Sequence, residues 1–340
     1  MTRERRVTIV DVAARAGVNA AVVSRVLSKD STLNVRDVTR ERVLLAAQEL
    51  SYRPNAAARS LRTSRTSTFG LVIPNFNNPV IAEIINGAEA AAARLSCLLL
   101  TGSTGNDGFQ TGGFLDALEE GRVDGLLLAV DEPFEAASAQ LEALGLPWLF
   151  LNRRTPHEVK RHVVLDDEHA AELAIQHLIG LGHRRIAHLG GPSQADTAIR
   201  RRAGYECALV RFGLPLSAVV CGDYSSAGGD AAMDQLLGGE TQPTAIFVAN
   251  IASAIGALHG ARRLGRRVPE DLSIVAMHDL PLACYMSPPL TTVRMPLEEL
   301  GARGVELLAS TRPSDLINEV LRGPVELIVR GSTASPAEKP

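Results

Sequence analysis

Residues 8–27 read TIVDVAARAGVNAAVVSRVL, and the rhythm of this stretch decides the character of the amino-terminal region. Ile9, Val12, Ala13 and Ala16 recur at helical spacing, the stripe of a helix with one apolar face. Thr8 precedes that stripe, where a side-chain oxygen accepts from the first unpaired backbone N–H groups. Gly17 follows it, at a turn that needs positive φ. Asn19 then stands as the cap of a second helix running to Leu27, with Val22, Val23, Val26 and Leu27 as its apolar members. A third stripe, Val38, Val43, Leu44, Ala47 and Leu50, predicts another helix before Pro54. Three short helices with a tight turn between the first two form a helix-turn-helix unit.

Outward from this unit the composition changes twice. Residues 55–68, NAAARSLRTSRTST, begin Ala-rich and end as a Ser/Thr/Arg linker. They carry too few apolar side chains to pack as a core helix, so a partner must order them. From Phe69 short apolar runs alternate with helical stretches: FGLVI (69–73), CLLL (97–100), GLLLAV (125–130), WLFL (148–151), VVL (163–165), RIAHL (185–189), AVVCG (218–222), AIFVAN (245–250) and SIVAM (273–277). Runs of this kind predict about ten strands in parallel sheets covered by helices. That is too many for one compact unit, so two α/β lobes sharing a cleft are expected, with ligand held at the carboxyl ends of the strands. The polar end, GSTASPAEKP, reads as disordered over 332–340.

The charge is divided in the same places. The chain has 340 residues and a net charge of -3. Residues 1–65 hold 13 Lys+Arg and 6 Asp+Glu, a local +7 that leaves -10 on the rest. A basic head on an acidic body points to a polyanionic partner for the head alone. No apolar run approaches a membrane span of about 18 residues, and the charged start MTRERRVTIV does not read as a signal peptide. Cys97, Cys207, Cys221 and Cys284 are far apart and form no CxxC pair, which fits buried thiols in a reducing cytosol.

Catalytic patterns are missing from the sequence: it contains no Walker A, GxGxxG, GxSxG or HExxH motif. GLGHRR (180–185) reads as a helix C-cap leading into a strand. His177, His183 and His188 read as helix-end and strand-edge residues, because no carboxylate or thiol completes a metal set. Neither a metal nor a cofactor is expected, and the cleft is read as a binding site, not an enzyme active site.

The residues quoted above, with TRERVLLAAQELSYRPNAAARSLRT (39–63), IPNFNNP (73–79), HLIGLGHRRIAHLGGP (177–192) and SPPLTTVRMP (287–296), resemble the lactose/galactose-repressor family of bacterial transcription regulators. The resemblance runs through nearly the whole chain in the expected order. It implies a helix-turn-helix domain over 1–53 and a hinge helix and linker over 54–66. It further implies a periplasmic-binding-protein-like effector domain, with an N-lobe of 67–164 and 292–321 and a C-lobe of 165–291 and 322–331. A cytoplasmic homodimer on a palindromic double-stranded operator follows from it, with no membrane partner.

By the same resemblance the second helix enters the major groove. Asn19, Ala20, Ala21, Ser24 and Arg25 face DNA there, with Arg25 expected to carry much of the hydrogen-bonded readout and a phosphate contact as its alternative role. Thr8, Ser24 and Thr39 are assigned to phosphates, and Tyr52, Asn55 and Ala58 to the hinge region. Leu61 matches the residue that wedges between base pairs in the minor groove. Asn19 stands where Ser is common, Val22 where Thr is usual, and Arg36 where Ser is usual.

For the cleft, the resemblance points to Asn75, Val80, Ile81, Asn152, Ile199, Arg200, Tyr224, Asn250 and His278. Ile199 and His278 stand where an Arg and an Asp usually anchor sugar hydroxyls. Arg200 is a candidate replacement for that Arg by a one-residue shift. These departures point away from a simple hexose, because a sugar site needs several charge-assisted bonds to hydroxyls.

Three functional classes compete. A solute-binding protein of a transporter shares the two lobes but needs a signal peptide and no basic head. An enzyme with a fused DNA-binding domain needs a catalytic set in the cleft. A DNA-binding regulator, read as a repressor, needs the head, the hinge and the two lobes. A regulator without any small effector remains as a variant of the last.

Overall fold

The structure is a computed structural model that describes residues 7–28, 32–52, 65–104, 121–130, 141, 145–155, 159–239, 242–312 and 314–337. The chain divides into two compact units, residues 1–66 and 67–340.

In the first unit α1 (Ile9–Ala16) opens with a reciprocal cap. The Thr8 side chain accepts from the Asp11 N–H, and the Asp11 carboxylate accepts from the Thr8 N–H at 2.8 Å. Gly17 ends the helix at φ 64°, where a side chain would be strained. Asn19 Oδ1 accepts from the Val22 N–H at 2.8 Å to start α2 (Ala20–Leu27). The third helix, α3 (Asp37–Glu49), closes the unit. Val12, Ala16, Val23, Val26, Val43, Ala46 and Ala47 are the shared core. Val38 and Leu44, expected in the buried stripe, are instead 68% and 49% exposed. The small Ala46 and Ala47 take the inner face because three helices this short must approach closely.

The second unit holds two sheets. Among the described residues the first contains β1 (Thr68–Ile73), β2 (Leu98–Ser103), β3 (Leu126–Leu128), β4 (Trp148–Leu151), β5 (Arg161–Leu165) and β11 (Ile317–Leu321), in the order β11-β5-β4-β3-β1-β2. All its pairings are parallel. The second contains β6 (Ile186–Gly190), β7 (Val219–Cys221), β8 (Ala245–Val248), β9 (Ser273–Met277), β10 (Thr291–Arg294) and β12 (Glu326–Ile328), in the order β12-β10-β9-β8-β6-β7. It departs from the expected all-parallel sheet, since β12 runs antiparallel to β10.

The helices are α4 (Pro79–Arg94), α5 (Asp167–Gly180), α6 (Asp196–Arg211), α7 (Ser226–Gly238), α8 (Ile251–Arg263) and α9 (Leu297–Ser310), with a 3₁₀ turn at Pro281–Tyr285. Helices α4 and α9 pack on each other at close range. A side chain at Gly87 would strike the Glu298 carbonyl, and one at Gly301 the Ile84 carbonyl. The chain passes between lobes after β5, after β10 and after β11, so the β10 strand lies in the second lobe and not in the first, as the expected boundary at 292 had it.

The carboxyl end also corrects an expectation. Residues 332–334 are packed, not disordered. The buried Ser332 hydroxyl donates to the Ile274 carbonyl at 2.6 Å and accepts from the Thr291 N–H at 2.8 Å. His183 Nε2 donates to the Ala334 carbonyl at 2.9 Å. A polar segment orders here because each of its polar groups finds a buried partner.

Candidate functional site

The headpiece presents the first turn of α2 to solvent. Ala21 is exposed there, and Ala20, Ser24 and Arg25 are half-buried. Arg25 extends from α2 and its Nη2 donates to Thr32 Oγ1 at 3.0 Å, which steadies a long side chain. Thr39 and Tyr52 are half-buried. Tyr52 packs against the three-helix core, and its N–H donates to the Ala47 carbonyl at 2.8 Å. The Thr8 hydroxyl donates to Asp11 Oδ2 at 2.7 Å, so its proton is committed to the cap. Asn55, Ala58 and Leu61 lie outside the described residues.

In the second unit a cleft of about 430 Å³ lies between the lobes. Asn75, Val80, Ile81 and Asn152 line it from the first lobe, and Tyr224, Asn250 and His278 from the second. Asn75, Asn152, Tyr224, Asn250 and His278 sit just past the carboxyl ends of parallel strands, where loops are free to diverge, and Val80 and Ile81 lie in the first turn of α4. Asn152, Tyr224 and His278 all have left-handed backbones, at φ 56°, 65° and 72°. Such a conformation costs a non-glycine residue about 1–2 kcal/mol, and three together in one cleft mark a site whose side-chain directions matter.

Two of the expected cleft residues are elsewhere. Ile199 is 53% exposed and lines a different cavity, and Arg200 is buried behind the cleft. The cleft-lining arginine of α6 is Arg201, which the sequence reading passed over. One residue turns a helix by 100°, so in the run Arg200-Arg201-Arg202 only the helix phase selects the inner member. Asn250 lines the cleft but its amide is occupied: Oδ1 accepts from the Ser253 N–H at 2.8 Å, and Nδ2 donates to the Tyr224 carbonyl at 3.0 Å.

A buried charge cluster underlies the cleft. Asp167 pairs with Arg200 and, at 2.6 Å, with Arg201 Nε. Burial pushes the Asp167 carboxyl up, but the two guanidiniums outweigh it and hold the group below its ordinary range. Arg201 also donates to the Ala249 carbonyl at 2.7 Å and reaches His278 Nε2 at 3.2 Å. A guanidinium has only donors, so His278 Nε2 must accept and its proton resides on Nδ1. Burial first, and then the Arg201 charge, push His278 down to about 3, so the ring is neutral. Its Nδ1 is buried without a protein partner, as is Asn152 Oδ1. These two atoms add an unpaired N–H donor and an unpaired carbonyl acceptor to a lining that also includes Asn75, Asp196, Thr197 and Ser226.

Comparison with known proteins bears on both units. Residues 8–55 match the family described as bacterial regulatory proteins, lacI family, and residues 175–333 match a periplasmic binding protein-like domain. The HTH-type transcriptional repressor CytR of Escherichia coli (strain K12) is 34% identical over 335 residues, 97% of each chain. The chain belongs to the LacI family. The LacI-family repressor PurR of Erwinia tasmaniensis is 36% identical over 305 residues, 88% of this chain and 89% of that one. A crystal structure of the lac repressor dimer bound to operator and the anti-inducer ONPF superposes with a TM-score of 0.83 at 30% identity, covering 97% of this chain and all of that one. As a LacI-family member the chain joins a helix-turn-helix DNA-binding domain to a two-lobed ligand-binding domain, the plan of the homologous transcriptional repressors.

Proposed function

We propose that this LacI-family chain is a cytoplasmic, non-catalytic repressor that binds a palindromic operator as a homodimer, released or retained by a small heterocyclic ligand in its cleft. The observation that carries the ligand class is the polarity at His278. A neutral ring with its proton on Nδ1 presents a donor where an acidic side chain would accept from a sugar hydroxyl. A nucleobase-like ligand supplies a carbonyl or ring nitrogen to that donor, an N–H to Asn152 Oδ1, and a flat face for Tyr224. Any such ligand changes DNA affinity only by binding one lobe arrangement more tightly than the other.

Homodimerisation is supported by the edge strand β2, where Leu98 is 73% exposed and Leu100 39%. Among the described residues β2 ends its sheet, and a sheet edge bearing apolar side chains favours a covering partner. The lac repressor structure to which the chain is similar is itself a dimer on its operator.

A thermal-shift panel tests the ligand. Adenosine, cytidine or uridine is expected to raise the melting temperature and alter operator affinity, and glucose and galactose are not. Hexoses dominating the response would overturn the heterocycle reading.

Selection from a random duplex pool tests the DNA half. A palindrome is expected, with affinity falling steeply as salt rises. Arg25→Ala is expected to weaken the selected site by about 1–3 kcal/mol while leaving random duplex nearly unchanged. Equal weakening on both, measured by gel shift, would reassign Arg25 to phosphate contact.

A further inference from the structure

Helix α6 has a second cavity on the side away from the cleft. Its volume is about 330 Å³, and its lining includes His188, Gly190, Ala198, Ile199, Arg202 and Cys221. The expectation that His188 is a strand-edge residue fails here. It sits in β6, paired on one side with β7 and on the other with β8, and it is fully buried. Its ring is stacked between Tyr205 and Phe247, with centroids 5.2 and 4.9 Å away.

The tautomer is set by one bond. His188 Nδ1 lies 3.0 Å from the Phe247 carbonyl, which can only accept, so the proton is on Nδ1. Nε2 is then a bare acceptor, buried and without a protein partner. Burial drives this ring down to about 4, so it stays an acceptor at neutral pH. Two residues along the same strand face, Gly190 lies beside the Nε2 edge without a side chain, although Nε2 itself exposes almost no surface. A Cβ there would sit 3.3 Å from Nε2. His188 lines the cavity, so its floor carries a fixed acceptor that no protein group satisfies.

The remaining walls are mostly apolar, with Ser193 and the Cys221 thiol as further weakly polar groups. Ala198 and Ile199 form one side, and the exposed Ile199 stands at the mouth. Arg202 is held by Glu206 at 2.6 Å, so the rim carries a neutral ion pair and no net charge to attract an ionic ligand. A buried acceptor left unpaired costs about 1–3 kcal/mol, which a donor from a ligand recovers. Polyhydroxylated compounds find few partners against the Ala198, Ile199 and Val219 walls and lose hydration there.

We infer that this cavity is a second ligand site, distinct from the interlobe cleft, for an uncharged aromatic molecule bearing one N–H or O–H donor directed at His188 Nε2.

Indole and benzothiophene provide the test, since they share a shape and differ in the donor. Both are titrated against the full-length chain by ligand-observed NMR. Indole is expected to bind, with benzothiophene at least tenfold weaker. Ile199→Trp, which fills the mouth from an exposed position, is expected to abolish indole binding with the far-UV spectrum unchanged. His188→Phe is expected to bring indole to the benzothiophene level. No indole binding up to its solubility would overturn the inference. So would equal affinity for the two compounds, or undiminished binding in Ile199→Trp, which would place indole elsewhere. Should His188→Phe fold poorly, the Ile199 variant and the ligand pair still decide.

Discussion

Asp167→Ala is expected to cost about 3–5 kcal/mol of stability, because it leaves the buried Arg201 with no carboxylate partner and the buried Arg200 with only Asp196. Asp167 is 1% exposed, Arg200 1% and Arg201 3%. Asp196, at 2.9 Å from Arg200 Nε, is the other carboxylate of the cluster, and it does not pair with Arg201. The backbone carbonyls of Leu165, Asn152 and Ala249 accept from the two arginines but carry no full charge. The same substitution is expected to damage the cleft. Arg201 orients His278, and Arg200 bonds to the backbone of Asn152, so both orphan polar atoms lose their supports. Denaturant unfolding at pH 7.5 checks the first effect and the thermal shift with nucleosides the second. A stability loss under about 1 kcal/mol would mean that solvent reaches the cluster and screens it.

How much of this was legible beforehand depends on how local the signal is. The headpiece was readable because Thr8, Asp11, Gly17 and Asn19 set helix ends through contacts within four residues. Its third helix was misjudged at Val38 and Leu44, since periodicity does not say which of two overlapping stripes three helices will bury. Nine strands announced themselves as apolar runs because both faces of a parallel sheet are covered. The three that were missed, TTVR, INEVL and ELI, lie at or near sheet edges and mix polar with apolar residues.

In the cleft, Asn75, Asn152, Tyr224 and His278 came from the family resemblance, and each stands within three residues of a strand end, where a parallel sheet opens onto the cleft. Arg201 was not readable, because Arg200 and Arg202 flank it and the phase of α6 comes from its packing on α5. A side chain at Gly204 would strike the Glu168 carbonyl, so the two helices meet there and the rotation of α6 is set. The packed carboxyl end escaped for a related reason. Its partners Thr291, Ile274 and His183 lie more than 40 residues away.

The two buried histidines make the second lobe labile to mild acid, and this is the other large effect expected. His188 and His278 have folded values of about 4 and about 3, both below the ordinary 6.5. The unfolded chain therefore binds more protons than the native one from about pH 6.5 downward, and stability falls with pH across that window. Each histidine loses about 1.4 kcal/mol per pH unit below 6.5 until its folded value is reached. At pH 4.5 the pair accounts for about 5 kcal/mol relative to pH 7.5. Asp167 works in the same direction only at lower pH, because its folded value is depressed and its contribution is lost below the ordinary carboxylate range. The window between pH 6.5 and 4.5 therefore isolates the histidines from the Asp167 cluster. His188→Phe keeps the ring stacked between Tyr205 and Phe247 and removes one titrating group. His162, His177 and His183 are also held below 6.5 by burial and add to the drop in both proteins, so the variant's unfolding free energy is expected to fall by about 2–3 kcal/mol less than that of the unmodified chain over this window, measured by denaturant titration at unit pH steps. An identical drop in both proteins would mean that His188 is as easily protonated in the folded state as in the unfolded one, and that the cavity beside it is wet and polar.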